Sequence, residues 1–281
     1  MKRLLSAALC TLAVLGLAAV SFAGDLPVKG STTVQPIMQK AVEAFMAKNK
    51  GVSISISASG SGDGAKALID GSSPLAMMSR EMKEKEIKQA EAKGVHPKQI
   101  IIAYDCLTPI VHPSNPVKNL TLDQLKDIYT GKTTDWKDLG GKPGPISVVS
   151  RDSSSGTFEY WGEHVLKNER VFARAQMQAS SGAVVQTVSK QPSAIAYVGL
   201  AYTKNPAVKA VTVNGVAGSV ENTLNGTYPV SRGLYLYTNG EPAGDAAKLV
   251  DYILSDAGQK IVADVEYIPV RAPKAAKKAK K

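Results

Sequence analysis

The sequence predicts an α/β protein with largely parallel sheets. Short segments of β character alternate along the chain with segments of helical period, and three strand-to-helix junctions share one kind of turn, made of small hydroxyl residues. The cysteine count adds a size requirement. Cys10 lies in an apolar leader, which leaves Cys106 alone in the remainder, so stability has to come from a sizeable core and not from disulfides.

The chain opens with Lys2 and Arg3, an apolar run from Leu4 to Val20, and small residues at 21 and 23. This pattern predicts a secretory signal peptide over 1–23, cut after Ala23, and hence export. "LPVK" is then a short strand, "GSTTVQP" a turn, and the apolar positions 34, 37, 38, 41, 42 and 45 form one helical face. "VSISISA" alternates with strand period, "SGSGDG" is the second hydroxyl turn, and Ala65, Leu68 and Ile69 begin a short helix. "PLAMM" is a third short strand ending in Ser79 and Arg80, and "EMKEKEIKQAEAKG" is a solvated surface helix stopped by Gly94.

"IIIAYDCLTPIVHP", 100–113, reads as one long strand or two in line. "TLDQLKDIYTG" has Thr121 and Gln124 at capping-box spacing and Gly131 at the C-terminal stop. "PISVV" enters the third hydroxyl turn, "SRDSSSGT", and Phe158, Trp161 and Val165 share the face of the helix that follows. "SSGAVVQTVSKQ" and "AIAYVGL" are a helix and a strand, "YPVSRGLYLYT" is a second long strand, and "GDAAKLVDYILSDAGQKIV" closes with helical period.

Charge and motifs narrow the function. The formal charge is +10, but Lys2, Arg3 and the six cations of 271–281 carry most of it, leaving about +2 on the body. A nucleic-acid groove is therefore not indicated, and 271–281 reads as a disordered, solvated Lys-rich tail. His96, His112 and His164 are isolated, and no spacing of ligands indicates a metal or other cofactor. "TGKTT" follows a helix where a P-loop precedes one. A nucleophile elbow at Ser155 lacks its leading glycine, which leaves a serine hydrolase as the weaker alternative.

An anion cage is the remaining reading. The turns at Ser31 to Thr33, at Ser59 and Ser61, and at Ser153 to Thr157 each open a helix, where unpaired amides and the positive end of the helix dipole attract an anion. Each turn alone is an ordinary cap. In open α/β sheets such turns share one edge, so the three with Arg80 and Arg151 can surround a small oxyanion.

The segments "VKGSTTVQP", "SGSGDGAKALIDG", "MMSREMKEKE", "VVSRDSSSGTFEYW" and "GAVVQTVSKQPSAIAYVGL" resemble, in order and across about 26–270, the phosphate-binding protein family of the bacterial phosphate ABC transporter. The resemblance implies a type II periplasmic-binding-protein fold with two lobes, two crossing strands and a ligand cleft between. It places the crossings near Cys106 to Thr108 and Val230 to Gly233, giving lobe 1 as 24–106 with 231–270 and lobe 2 as 107–230. It implies that Ser31, Thr32, Ser61, Ser79, Arg80, Arg151, Ser155, Gly156 and Thr157 bind inorganic phosphate. It further implies a periplasmic monomer that serves the permease subunits in the inner membrane and forms no covalent intermediate. Well-known members carry an aspartate after the third strand that accepts the ligand's proton, whereas this chain has Ser79 and Arg80. Asp63 and Asp152 are the candidate acceptors, each with a structural alternative, and another oxyanion such as sulfate stays open.

Overall fold

The computed structural model describes residues 25–271; the predicted signal peptide and all but the first residue of the tail lie outside them. The elements are β1 (Leu26–Gly30), α1 (Gln35–Lys48), β2 (Ile54–Ala58), α2 (Ser61–Ile69), β3 (Leu75–Met78), α3 (Glu84–Glu91), β4 (Pro97–Val111), β5 (Asn119–Leu120), α4 (Leu122–Thr130), β6 (Ser147–Arg151) and α5 (Gly156–His164). They continue through β7 (Gln176–Gln178), α6 (Ser181–Lys190), β8 (Ala194–Gly199), β9 (Lys209–Ala210), β10 (Thr212–Val213), α7 (Val220–Leu224), β11 (Ser231–Asn239), α8 (Gly244–Leu254), α9 (Asp256–Asp264) and β12 (Ile268–Pro269). Among the described residues no helix is long and apolar enough to cross a membrane.

The main sheet runs β2-β1-β3-β11-β4-β8-β6-β7, with β9 and β12 also on β4. Pairing is parallel at β1–β2, β1–β3, β6–β8 and β6–β7. It is antiparallel at β3–β11, β11–β4 and β4–β8. The expectation of largely parallel sheets is thus corrected to a mixed one. Helical crossovers keep each half parallel, while the two long central strands run against their neighbours.

β4 changes company along its length. Up to Cys106 it pairs with β11, and from Leu107 it pairs with β8, starting at Gly199. Helices cover both faces of each half-sheet. β3 is buried throughout, with Leu75 and Met77 in one core beside Val28, Ile37 and Leu236, and Ala76 and Met78 in another beside Leu68 and Tyr237. In the other half, Leu107, Leu125, Tyr129, Trp161 and Tyr197 form one core and Ile110, Val149, Val184 and Val198 a second. The alternation of side chains between two cores follows from the pleat.

Asp105 and Arg232 face each other in register on β4 and β11. Arg232 Nε and Nη2 donate to Asp105 Oδ2 at 3.1 and 2.9 Å, and Oδ1 accepts the Leu200 amide at 2.8 Å. Burial pushes the Asp105 carboxyl up, against the Arg232 charge that lowers it. Asp105→Ala leaves a guanidinium buried without its partner, so thermal unfolding should show a loss of about 3–5 kcal/mol, or roughly 10 °C in Tm.

Several boundaries differ from the sequence reading. α2 starts at Ser61, four residues before the first apolar position, so the hydroxyl turn is its first turn. The closing helical run is two helices, because Ser255 ends α8 and caps α9, its Oγ accepting the Gly258 amide at 3.3 Å. The Thr121–Gln124 capping box forms as expected, and Gly131 takes the left-handed conformation at φ 82°. Arg271, assigned to the tail, instead bonds the Leu254 carbonyl and pairs with Asp256 at 3.5 Å.

Candidate functional site

Four helix N-termini meet where the two halves of the sheet face each other. At the first, Gly30 has φ 134°, and a Cβ there would lie 2.2 Å from the Met77 carbonyl oxygen, so only glycine lets β1 turn into the hydroxyls. Ser31 Oγ then accepts the Thr33 amide at 3.1 Å. Ser31, Thr32 and Thr33 are all buried.

The third turn is fixed from both sides. Trp161 of α5 is buried and stacked on Tyr197, with centroids 4.3 Å apart and planes 8° from parallel, which anchors the helix to its core. Ser155 caps the helix, accepting the Phe158 amide at 3.2 Å, so its own hydrogen is available to donate. The amides of Gly156 and Thr157, in the first turn, have no partner within the helix.

These turns touch across the interface. Thr33 Oγ1 lies 2.8 Å from Thr157 Oγ1, and Gly62 N donates to the Ser154 carbonyl at 2.9 Å. Ser61 Oγ is 3.2 Å from Ser79 Oγ and accepts the Ser79 amide at 3.0 Å. The fourth terminus, of α6, was not anticipated: Ser181 Oγ lies 3.3 Å from Thr32 Oγ1, and Ser181 N donates to Thr32 Oγ1 at 3.3 Å. A signal for it existed, since Ser180, Ser181 and Gly182 repeat the Ser154, Ser155, Gly156 pattern.

The charges divide the arginines. Arg151, 2% exposed, donates from Nε to Gln178 O at 2.9 Å, from Nη2 to Ala179 O at 3.0 Å and from Nη1 to Ser181 Oγ at 3.4 Å. Those three bonds leave two of its five N–H groups over, and no carboxylate among the described residues lies within salt-bridge distance. Burial lowers its pKa, the mark of a cation short of compensation.

Arg80 behaves otherwise, contrary to its assignment to the cage. Its guanidinium grips Glu86 with Nη1 and Nη2 at 2.8 and 2.7 Å, donates to Glu81 O at 2.7 Å, and contacts Glu159 through Nε. Only its stem reaches the site, close beside Gly156. Arg232, not anticipated, also touches the cage, donating to Ser79 O at 2.8 Å and to Thr157 Oγ1 at 3.1 Å while bound to Asp105.

Neither candidate proton acceptor is presented to the cage. Asp63 is exposed in the first turn of α2, where it complements the helix dipole. Asp152 Oδ1 accepts the Ser154 amide at 2.9 Å and the Ser154 hydroxyl at 2.6 Å, so it holds the turn. No histidine is bonded to Ser155 among the described residues: His112 Nδ1 bonds to Ser114 Oγ, and His164 Nδ1 lies against the Tyr160 carbonyl.

A buried guanidinium with spare donors inside a ring of hydroxyls and helix amides is a receptor for a small anion. Residues 20–257 match the model of the PBP superfamily domain. The phosphate-binding protein PstS of Bacillus subtilis is 33% identical, over 88% of this chain and 81% of its own length. The chain belongs to the PstS family of the PBP superfamily. The PstS of Pseudomonas aeruginosa is 34% identical over 91% of this chain and 86% of its own. A Clostridium perfringens protein solved with bound phosphate superposes with a TM-score of 0.82 at 42% identity, covering 88% of this chain and all of that one. The two-lobed periplasmic-binding fold expected from the resemblance is thereby established for this PstS-family chain.

Proposed function

We propose that the chain is an exported substrate-binding protein that captures inorganic phosphate between its lobes and delivers it to the permease of an ABC transporter in the inner membrane. The observation that carries this reading is Arg151, a buried cation with two uncommitted donors and no carboxylate within salt-bridge distance among the described residues. The PstS relatives and the phosphate-bound Clostridium protein support phosphate as the anion that completes it. Arg151 supplies charge. The amides of Gly156 and Thr157 and the hydroxyls of Thr32, Ser61, Ser79 and Ser155 supply hydrogen bonds. Ser31 holds the first turn. Together they replace the anion's hydration, which a buried phosphate needs at nearly every oxygen.

Lobe 1 is assigned as 24–106 with 231–270 and lobe 2 as 107–230; the partner change of β4 after Cys106 and the start of β11 at Ser231 support these bounds. The protein works as a monomer without a cofactor, and residues 1–23 are removed on export to the periplasm. No covalent step is involved. Ser155 serves as cap and donor, and the bonds of His112 and His164 to other groups support that role.

Titration calorimetry on phosphate-stripped protein tests the reading. Saturable heat is expected at micromolar phosphate, corresponding to about 8 kcal/mol of binding free energy. Absence of heat up to about millimolar phosphate contradicts it, and equal affinity for sulfate moves the assignment to a general oxyanion receptor.

A further inference from the structure

Arg80 stands where the well-known members carry a ligand-facing carboxylate, yet its guanidinium is turned outward into a cluster of ions. On its own side Glu86 of α3 takes both terminal nitrogens, at 2.7 and 2.8 Å. From the opposite side comes Glu159, in the first turn of α5, three residues past the cage glycine Gly156. Glu159 Oε2 contacts Arg80 Nε, and Oε1 accepts Lys83 Nζ at 2.6 Å. The side chains of Arg80, Glu86 and Glu159 are 7, 17 and 18% exposed, while Lys83 is half in solvent. By contrast, the Lys88–Glu84 and Lys260–Asp264 pairs are exposed and lie within single helices, where they contribute little.

We propose that Glu159, with Arg80 and Lys83, is an interlobe latch that holds the closed form and sets the rate at which the ligand leaves. Arg80 and Lys83 follow β3 in the half-sheet of β1 and β2, and Glu159 follows β6 in the other half. Opening the cleft therefore has to part Glu159 from both cations. Glu86 stays with Arg80 in either form, and this fixes the guanidinium in place before Glu159 arrives. A groove of about 1050 Å3, bordered by Lys83, Glu159, Tyr160 and Arg232, runs along this seam, and Lys83 is half in solvent. The latch acts on closure and leaves the anion's own donors alone, so its loss changes the off-rate more than the on-rate.

The inference rests on the phosphate reading for its kinetics and on geometry alone for its conformational part, so the test has two arms. In the first, stopped-flow release of phosphate is compared for the wild type, Glu159→Gln and Lys83→Met, with Glu84→Gln as a control on the solvent face of α3. Glu159→Gln should release phosphate roughly tenfold faster, with association changed less than about twofold and Lys83→Met intermediate. Raising salt should speed release from the wild type and leave Glu159→Gln nearly flat. The second arm places a fluorophore pair across the cleft and reads the closed fraction with and without phosphate. Glu159→Gln should close less and lose its salt response. Wild-type off-rate and closed fraction in Glu159→Gln overturn the latch. If the wild type fails to bind phosphate, the functional reading falls, and the salt response of the fluorophore pair still decides the latch.

Discussion

Arg151→Met should lower phosphate affinity by on the order of 10³-fold while shifting the Tm of the unliganded protein by only a few degrees. The affinity loss follows from removing two charge-assisted hydrogen bonds to a desolvated anion, each worth about 1.5–3 kcal/mol. The small stability change follows from opposing effects. Burial of a guanidinium without a salt-bridge partner costs stability, in the same direction as burial lowers its pKa against the nearby Asp152 charge, and methionine relieves that cost. The carbonyls of Gln178 and Ala179 lose their donor at the same time, which offsets the gain. Phosphate should raise the Tm of the wild type in proportion to log concentration above Kd and leave the variant unmoved. Calorimetry and thermal unfolding on one sample separate the two effects.

Gly156→Ala should weaken phosphate binding by roughly 10- to 100-fold without harming folding. A Cβ at 156 would stand 2.3 Å from Ser61 Oγ, 2.8 Å from Ser61 Cβ and 3.0 Å from Arg80 Cγ, all on the opposing half. Ser61 is rigidly placed by Ser79, so the clash is relieved by holding the lobes apart, at about 1–3 kcal/mol. Gly156 has an ordinary helical φ, and alanine is a better helix former, so the open protein loses nothing. Gly162→Ala, on the same helix with open space around it, is the control and should bind as the wild type does.

These contrasts show where the sequence was legible. The turns at 31–33, 59–61 and 153–157 could be read because strand period, hydroxyls and helix period follow one another within a dozen residues, and local physics makes that a helix start. The roles of the arginines could not. Arg80 and Arg151 both stand at the end of a strand and both precede a helix, and only the tertiary arrangement decides that one meets Glu86 and Glu159 while the other meets carbonyls. Arg232 and Asp105 are 127 positions apart, and nothing local marks them as partners until β11 and β4 come into register. The sequence places Asp152 beside Arg151 at the start of the third turn, where its own role is not decided locally. Its bonds to Ser154 make it the brace of the third turn. The mixed sheet was missed for a related reason, because strand direction is a property of the crossover and not of the strand's residues.

On the phosphate reading proposed above, Arg151 carries the charge of the anion site and Arg80 does not. A crystal structure of the phosphate-soaked protein tests it most directly. A tetrahedral anion is expected within hydrogen-bond distance of the Arg151 guanidinium and of the Gly156 and Thr157 amides, with Arg80 still bound to Glu86 and Glu159. An anion seated on the Arg80 guanidinium, with Arg151 left on its carbonyls alone, would contradict it.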